Sequence, residues 1–235
     1  MPDAARQNTA RNASKAAAPG LRDRKKAKRR HEILRCAEKL FAVQGIEATT
    51  VAAIAEEAGV SAPTVFNYFG SKDNLLSCLI FEGAETSRKR WDAITYDPED
   101  NLLETLTTFL SEVSEKTIRI AGKRVWRYAE AANIRRPNTD FEQRFASLDS
   151  KLVEELARLF AAFPLVMRNG AVPDPVFLAN LFFDRWTAHY MEFIKNDKMT
   201  LATHRKRLER DVAQMVSLLF DDRLAEPAAA RTARG

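Results

Sequence analysis

"SAPTVFNYFGSKDNLL", residues 61–76, sets two serines, a proline and three aromatic rings within sixteen positions. The stretch has room for a helix only from about Ala62 to Tyr68. At 100° per residue, Ala62, Val65, Phe66 and Phe69 gather on one side of the wheel and Pro63, Thr64, Asn67 and Tyr68 on the other. One face is therefore expected to be buried and the other chemically mixed. Isolated helices this short are marginal in water, so neighbouring elements must hold this one, and what they hold outward is Thr64, Asn67 and Tyr68.

Those neighbours are legible upstream. Ile33, Ala37, Leu40, Phe41 and Gln44 recur at helical spacing, with Gly45 as the stop. Thr50 caps a second, short helix carrying Val51, Ile54, Ala55 and Ala58, which ends at Gly59. Gly59, Val60 and Ser61 then form a tight turn, with Ser61 as the next N-cap, Pro63 in the first turn, and Ser71 capping a fourth helix. Two short helices joined by a glycine turn, with a longer helix behind them, make a helix-turn-helix. Gly59 permits the left-handed backbone of the turn and Ala55 allows a close helix crossing. Val60, Val65 and Phe69 lock the second helix at a fixed angle. Ser61 and the free N–H groups behind it can meet a phosphate at the positive end of the helix dipole.

Residues 33–76, "ILRCAEKLFAVQGIEATTVAAIAEEAGVSAPTVFNYFGSKDNLL", resemble the DNA-binding region of the TetR family of bacterial transcriptional regulators. Phe41, Gly45, Thr50, Ile54, Ala55, Gly59, Val60, Ser61, Tyr68, Phe69, Lys72 and Leu75 stand at that family's spacing. The resemblance implies that Thr50, Ser61, Tyr68 and Lys72 contact phosphates and that Ala62, Pro63, Thr64 and Asn67 lie nearest the base edges. The family commonly has tyrosine where this chain has Phe66, so one hydroxyl contact is missing here. Ala62 and Pro63 offer no side-chain hydrogen bond, which leaves Thr64 and Asn67 as direct readers and gives DNA shape a larger share.

Charge agrees with that reading. Residues 1–35 hold eleven Lys or Arg against three Asp or Glu, so this end carries +8 of a chain whose total is +5, and the remainder is slightly acidic. A basic end on an acidic body suits a polyanion, though a solubilising charge run has the same composition. The expected organisation is a disordered basic tail over 1–24, a helix-turn-helix domain over 25–75, an effector-binding and dimerisation domain over 76–225, and a disordered tail over 226–235. With 46% hydrophobic and 29% charged residues, few glycines and no long apolar run, the chain reads as an all-α, soluble cytoplasmic protein.

Helical periodicity continues over about 72–94, 98–120, 123–134, 139–162, 175–196 and 203–220. Asp97-Pro98 and Asp174-Pro175 each read as an N-cap followed by proline. His31-Glu32 begins like a zinc-protease motif, but Arg35 stands where the second histidine belongs. His189 and His204 lack partners of metal-binding spacing, Cys36 and Cys78 read as structural thiols, and no phosphate-binding glycine loop or nucleophile elbow occurs. No cofactor, metal or catalytic residue is expected.

The second domain is rich in aromatic residues, most of them core. Trp126, Glu130 and Asn133 share a helix face, and with Trp91 and Phe109 they are the candidate walls of an effector pocket. Residues 175–196 and 203–220 have broad apolar faces, including Leu178, Leu181, Phe182, Arg185 and Phe193 in the first and Leu208, Val212, Met215, Val216 and Leu219 in the second. The resemblance implies that they pair with a second copy, giving a homodimer on a palindromic operator in double-stranded DNA. The expected function is a ligand-released repressor. The competing class is a helical enzyme or small-molecule carrier without a transcriptional role, which palindrome-specific binding would separate.

Overall fold

The computed structural model describes residues 20–91, 93–135 and 137–221, with backbone alone over 87–90. Among them run eight helices: α1 (Leu21–Gln44), α2 (Val51–Glu57), α3 (Ala62–Phe69), α4 (Lys72–Trp91), α5 (Leu102–Arg135), α6 (Asp140–Ala162), α7 (Pro175–Lys195) and α8 (Leu201–Leu219). The one extended pairing among the described residues is an isolated antiparallel bridge between Met167 and Phe220. Among the described residues no helix is long and apolar enough to cross a membrane.

Local chemistry sets most helix ends. The Thr50, Ser61, Thr139, Asp174 and Thr200 side chains each accept a backbone N–H from the first turn of α2, α3, α6, α7 and α8. Ser71 does the same for Asn74 at the start of α4. The helix expected from Pro98 begins four residues later. Asp97 turns its carboxylate onto the Glu99 N–H, its carbonyl accepts from Asp100, and Asn101 becomes the cap by accepting from Glu104. The helices expected over 98–120 and 123–134 are the two halves of α5, broken at Gly122, whose φ of 64° and ψ of 164° are non-helical.

α1, α2 and α3 enclose a small core of Ile33, Ala37, Phe41, Ile54, Ala55, Val65 and Phe69, which joins the larger core through Leu75 and Leu76 of α4. In the C-terminal part α6 packs along α7, with the Phe160 and Phe182 rings 5.1 Å apart. α8 inserts Leu208, Val212 and Val216, each 1% exposed or less. His204 belongs to this interior: its Nε2 lies 2.9 Å from Ser114 Oγ, which also accepts the Trp186 indole N–H. Burial pushes His204 down to about 4. Cys36 is buried and Cys78 half-buried.

Two expectations about organisation change. Residues 21–24, expected in the disordered tail, form the first turn of α1, so the basic run of 22–30 is a helical extension; residues 1–19 and 222–235 lie outside the described residues. The apolar faces expected to pair with a second chain are largely internal. Leu178, Phe182, Phe193, Leu208, Val212 and Val216 fill this chain's own core. A broad apolar face must be buried, but its sequence does not say against which chain.

Candidate nucleic-acid interface and interior cavity

The turn between α2 and α3 is held by its own backbone. Gly59 has a φ of 64°, its N–H reaches the Glu56 carbonyl at 3.1 Å, and the Val60 N–H reaches the Ala55 carbonyl at 2.9 Å. An L side chain at Gly59 is strained there, as the sequence implies. Val65 and Phe69 anchor α3 at 2% and 6% exposure. The Arg30 guanidinium lies 5.2 Å from the centre of the Phe69 ring and pairs with both carboxylate oxygens of Glu82, tying α1, α3 and α4 together.

Along α3 and its cap, Ser61, Pro63, Phe66 and Asn67 are exposed and Ala62, Thr64 and Tyr68 half-buried. Phe66, expected on the buried side, is 51% exposed. It sits one step around the helix from Val65, beyond the edge of the stripe that Val65 and Phe69 fill. An exposed ring beside Asn67 adds apolar surface to the reading face, able to pack on a sugar or a thymine methyl.

The polar candidates are not equally available. The Ser61 and Thr64 hydroxyls are 2.8 Å apart, and Ser61 Oγ also accepts the Thr64 N–H, so this pair caps α3. Thr50 likewise caps α2 through the Ala53 N–H. Asn67 is exposed and makes no hydrogen bond among the described residues. Lys72 departs most from its expected phosphate role. Its ammonium donates to the carbonyls of Ile46, Glu47 and Thr49 at 2.7, 3.3 and 3.0 Å, which uses all three N–H groups to close the turn between α1 and α2. The partners are more than twenty residues upstream, beyond the reach of local pattern.

A second feature lies in the C-terminal part: a cavity of about 100 Å³ between α4, α5, α6 and α7. Trp91, Trp126 and Glu130 reach its wall as expected, whereas Phe109 and Asn133 do not. Phe109 stands behind Trp91, its ring centre 5.5 Å away. Asn133 lies one turn beyond Glu130, with its side-chain oxygen buried and unpartnered. Sequence reasoning missed Asp149 of α6 and Trp186 and Tyr190 of α7, which complete the wall. Burial pushes Glu130 up to about 7, with help from Asp149, and Asp149 up to about 6.

Comparison with known proteins agrees with the helix-turn-helix. Residues 33–78 match the family described as bacterial regulatory proteins, tetR family. The HTH-type transcriptional regulator HbdR of Aromatoleum sp. (strain CIB) is 50% identical over 48 residues, a match spanning 20% of this chain and 21% of HbdR. The uncharacterized HTH-type transcriptional regulator YfiR of Bacillus subtilis (strain 168) is 25% identical over 204 residues, 79% of this chain and 96% of YfiR. Among solved structures, a TetR transcription regulator from Haloarcula marismortui ATCC 43049 shares the fold with a TM-score of 0.64 at 16% identity, covering 83% of this chain and 100% of that one. The capped turn and the matched segment agree: residues 33–78 form a helix-turn-helix of the tetR family of bacterial regulatory proteins, and the chain as a whole shares the helical fold of solved TetR regulators.

Proposed function

We propose that this regulator acts as a repressor: a two-fold homodimer that occupies a palindromic operator in double-stranded DNA and is released by a small molecule entering the cavity between α4 and α7. The observation that carries the reading is the run of α4. It begins at Lys72, three residues after α3 ends, and continues without a break to Trp91 in the cavity wall. Twenty residues at 1.5 Å each make a rigid rod of about 30 Å from reading head to cavity.

Two further contacts favour mechanical coupling. A Cβ built on Gly83 of α4 would lie 2.7 Å from Ile120 Cγ2, so α4 and α5 touch there without slack, and Ile120 is itself a wall residue. Arg124, two residues past the break in α5, donates to the Val43 carbonyl near the end of α1 at 2.9 Å. A ligand that shifts either half of α5 therefore loads both α4 and α1. Its binding and DNA binding would weaken each other reciprocally.

For the dimer, the exposed large apolar side chains that α7 and α8 offer are Val176, Phe177 and Leu218, at 53%, 62% and 76% exposure, with half-buried Leu181 and Met215 on the same helices. These side chains fall on α7 and α8, the helices expected at the interface, but on their outward faces. A two-fold contact there would set two α3 helices about one DNA turn, roughly 34 Å, apart.

Selection of bound fragments from sheared genomic DNA tests the proposal. The expected product is a palindrome with half-sites one turn apart, bound by two chains. Enrichment of no sequence, or of a lone half-site bound by one chain, contradicts it.

A further inference from the structure

We propose that the cavity between α4 and α7 selects a small organic cation, an amine or ammonium group carrying one aromatic or branched apolar substituent. The inference rests on the reading of this cavity as the effector site and adds the ligand's charge class.

The arrangement of charge is the first argument. Glu130 from α5 and Asp149 from α6 both reach the wall, and among the described residues neither has an ion-pair partner. The two wall lysines are paired with other carboxylates: Lys116 with Glu112 at 2.7 Å on α5, and Lys151 of α6 with Glu85 of α4, itself a wall residue, at 3.9 Å. The Tyr190 hydroxyl, from α7, is the second and independent observation. Its residue is 3% exposed, it lines the same cavity, and its oxygen has no hydrogen-bond partner. Two carboxyl groups and a phenol oxygen, all able to accept and none provided with a donor, describe a site for a donor that carries positive charge.

The apolar remainder of the wall suits the same guest. The Trp186 and Tyr190 rings stack 5.2 Å apart with 11° between their planes, and Trp126 stands edge-on to Tyr190 at 6.2 Å and 81°. Aromatic faces at right angles attract an ammonium group through their quadrupoles. The volume of about 100 Å³ limits the guest to about one ring.

Titration supports the assignment and fixes its sign. Burial pushes Glu130 up to about 7 and Asp149 up to about 6, so both exchange protons near neutrality. The remaining charged groups on the wall, Glu85, Lys116 and Lys151, sit in the ion pairs already described, and burial also pushes Tyr190 up, keeping it neutral. A bound cation favours the ionised carboxylates and releases protons. Affinity for it therefore rises as pH rises through about 6 to 7.

The chain has three tryptophans, Trp91, Trp126 and Trp186, and all three line the cavity, so intrinsic fluorescence reports on it directly. The full-length protein is titrated with benzylamine, benzyl alcohol and benzoate at about pH 5.5 and pH 8, and release from operator DNA is read in parallel. The proposal expects benzylamine to bind at least tenfold tighter than either analogue, with the margin widening at the higher pH. It also expects Glu130→Gln/Asp149→Asn to lose at least tenfold for benzylamine while keeping its affinity for benzyl alcohol. If the double variant fails to fold, the single variants and the wild-type pH dependence carry the test. Equal or tighter binding of benzyl alcohol or benzoate, or unchanged benzylamine binding in the variant, overturns the charge class and leaves the cavity a binding site. Benzylamine binding without DNA release keeps the cation site and removes its effector role. No response to any of the three overturns both.

Discussion

Trp126 donates its indole N–H to the carbonyl of Thr117, 2.7 Å away, across the break in α5 at Gly122. Both residues line the cavity. The bond latches the two halves of α5 at the place where a guest would touch both, and Arg124 in the same turn holds the end of α1. Trp126→Phe keeps a ring but leaves the carbonyl unsatisfied. It is expected to cost about 1 to 3 kcal/mol, against about 3 to 5 kcal/mol for Trp126→Ala. Thermal unfolding measures the cost. A ligand that releases the wild type from DNA should release the Phe variant less completely at saturation. Full release at saturation would remove the latch from the coupling path.

Stability should depend on pH through the cavity carboxyls. Glu130 and Asp149 have folded pKa values of about 7 and about 6, raised by burial above those of the unfolded chain, so folding takes up protons across this window. Their contribution is fully present below about pH 4 and is lost as pH rises through about 7. Glu130→Gln/Asp149→Asn should therefore melt higher than the wild type at pH 8, and the gain should shrink as pH falls and vanish only below about pH 4. Parallel melting curves across this range would show that the two groups titrate as ordinary surface carboxyls.

The basic extension should act with opposite signs on stability and binding. Residues 22–30 carry seven Lys or Arg and one Asp in the first turns of α1, where cations oppose the helix dipole. Replacing Arg22, Arg24, Lys25 and Lys26 with Ala should leave thermal unfolding unchanged or slightly raised. DNA affinity should fall, and each lost phosphate contact should reduce the slope of log affinity against log salt by about 0.9. An unchanged slope would mean that the extension only solubilises the chain.

Phe177→Glu, alone or with Leu218→Glu, should convert the proposed dimer to a monomer without unfolding it, because both side chains lie outside the core. Sedimentation at micromolar concentration checks this. A variant that stays dimeric places the interface elsewhere.

The sequence made the helix-turn-helix legible for a physical reason: capping is local. Thr50, Ser61 and Ser71 each bond an N–H three residues ahead, and Gly59 turns within its own motif. What escaped is long-range or a matter of degree. Lys72 meets carbonyls at Ile46 and Thr49, which no periodicity reveals. Asp149 and Tyr190 come to Glu130's cavity from other helices, while Asn133, on Glu130's own face, falls outside it. Phe66 lies at the edge of its stripe, where a wheel cannot assign burial.

In the proposed complex the outer face of α3 reads DNA, with Asn67 as its free polar reader. The direct measurement is to select bound fragments twice, with the wild type and with Asn67→Ala, a change at an exposed side chain. The same palindromic spacing is expected in both, with base preference relaxed at one position in each half-site and a loss there of about 1 to 3 kcal/mol. An unchanged sequence preference, or relaxation in one half-site only, would contradict this role for Asn67.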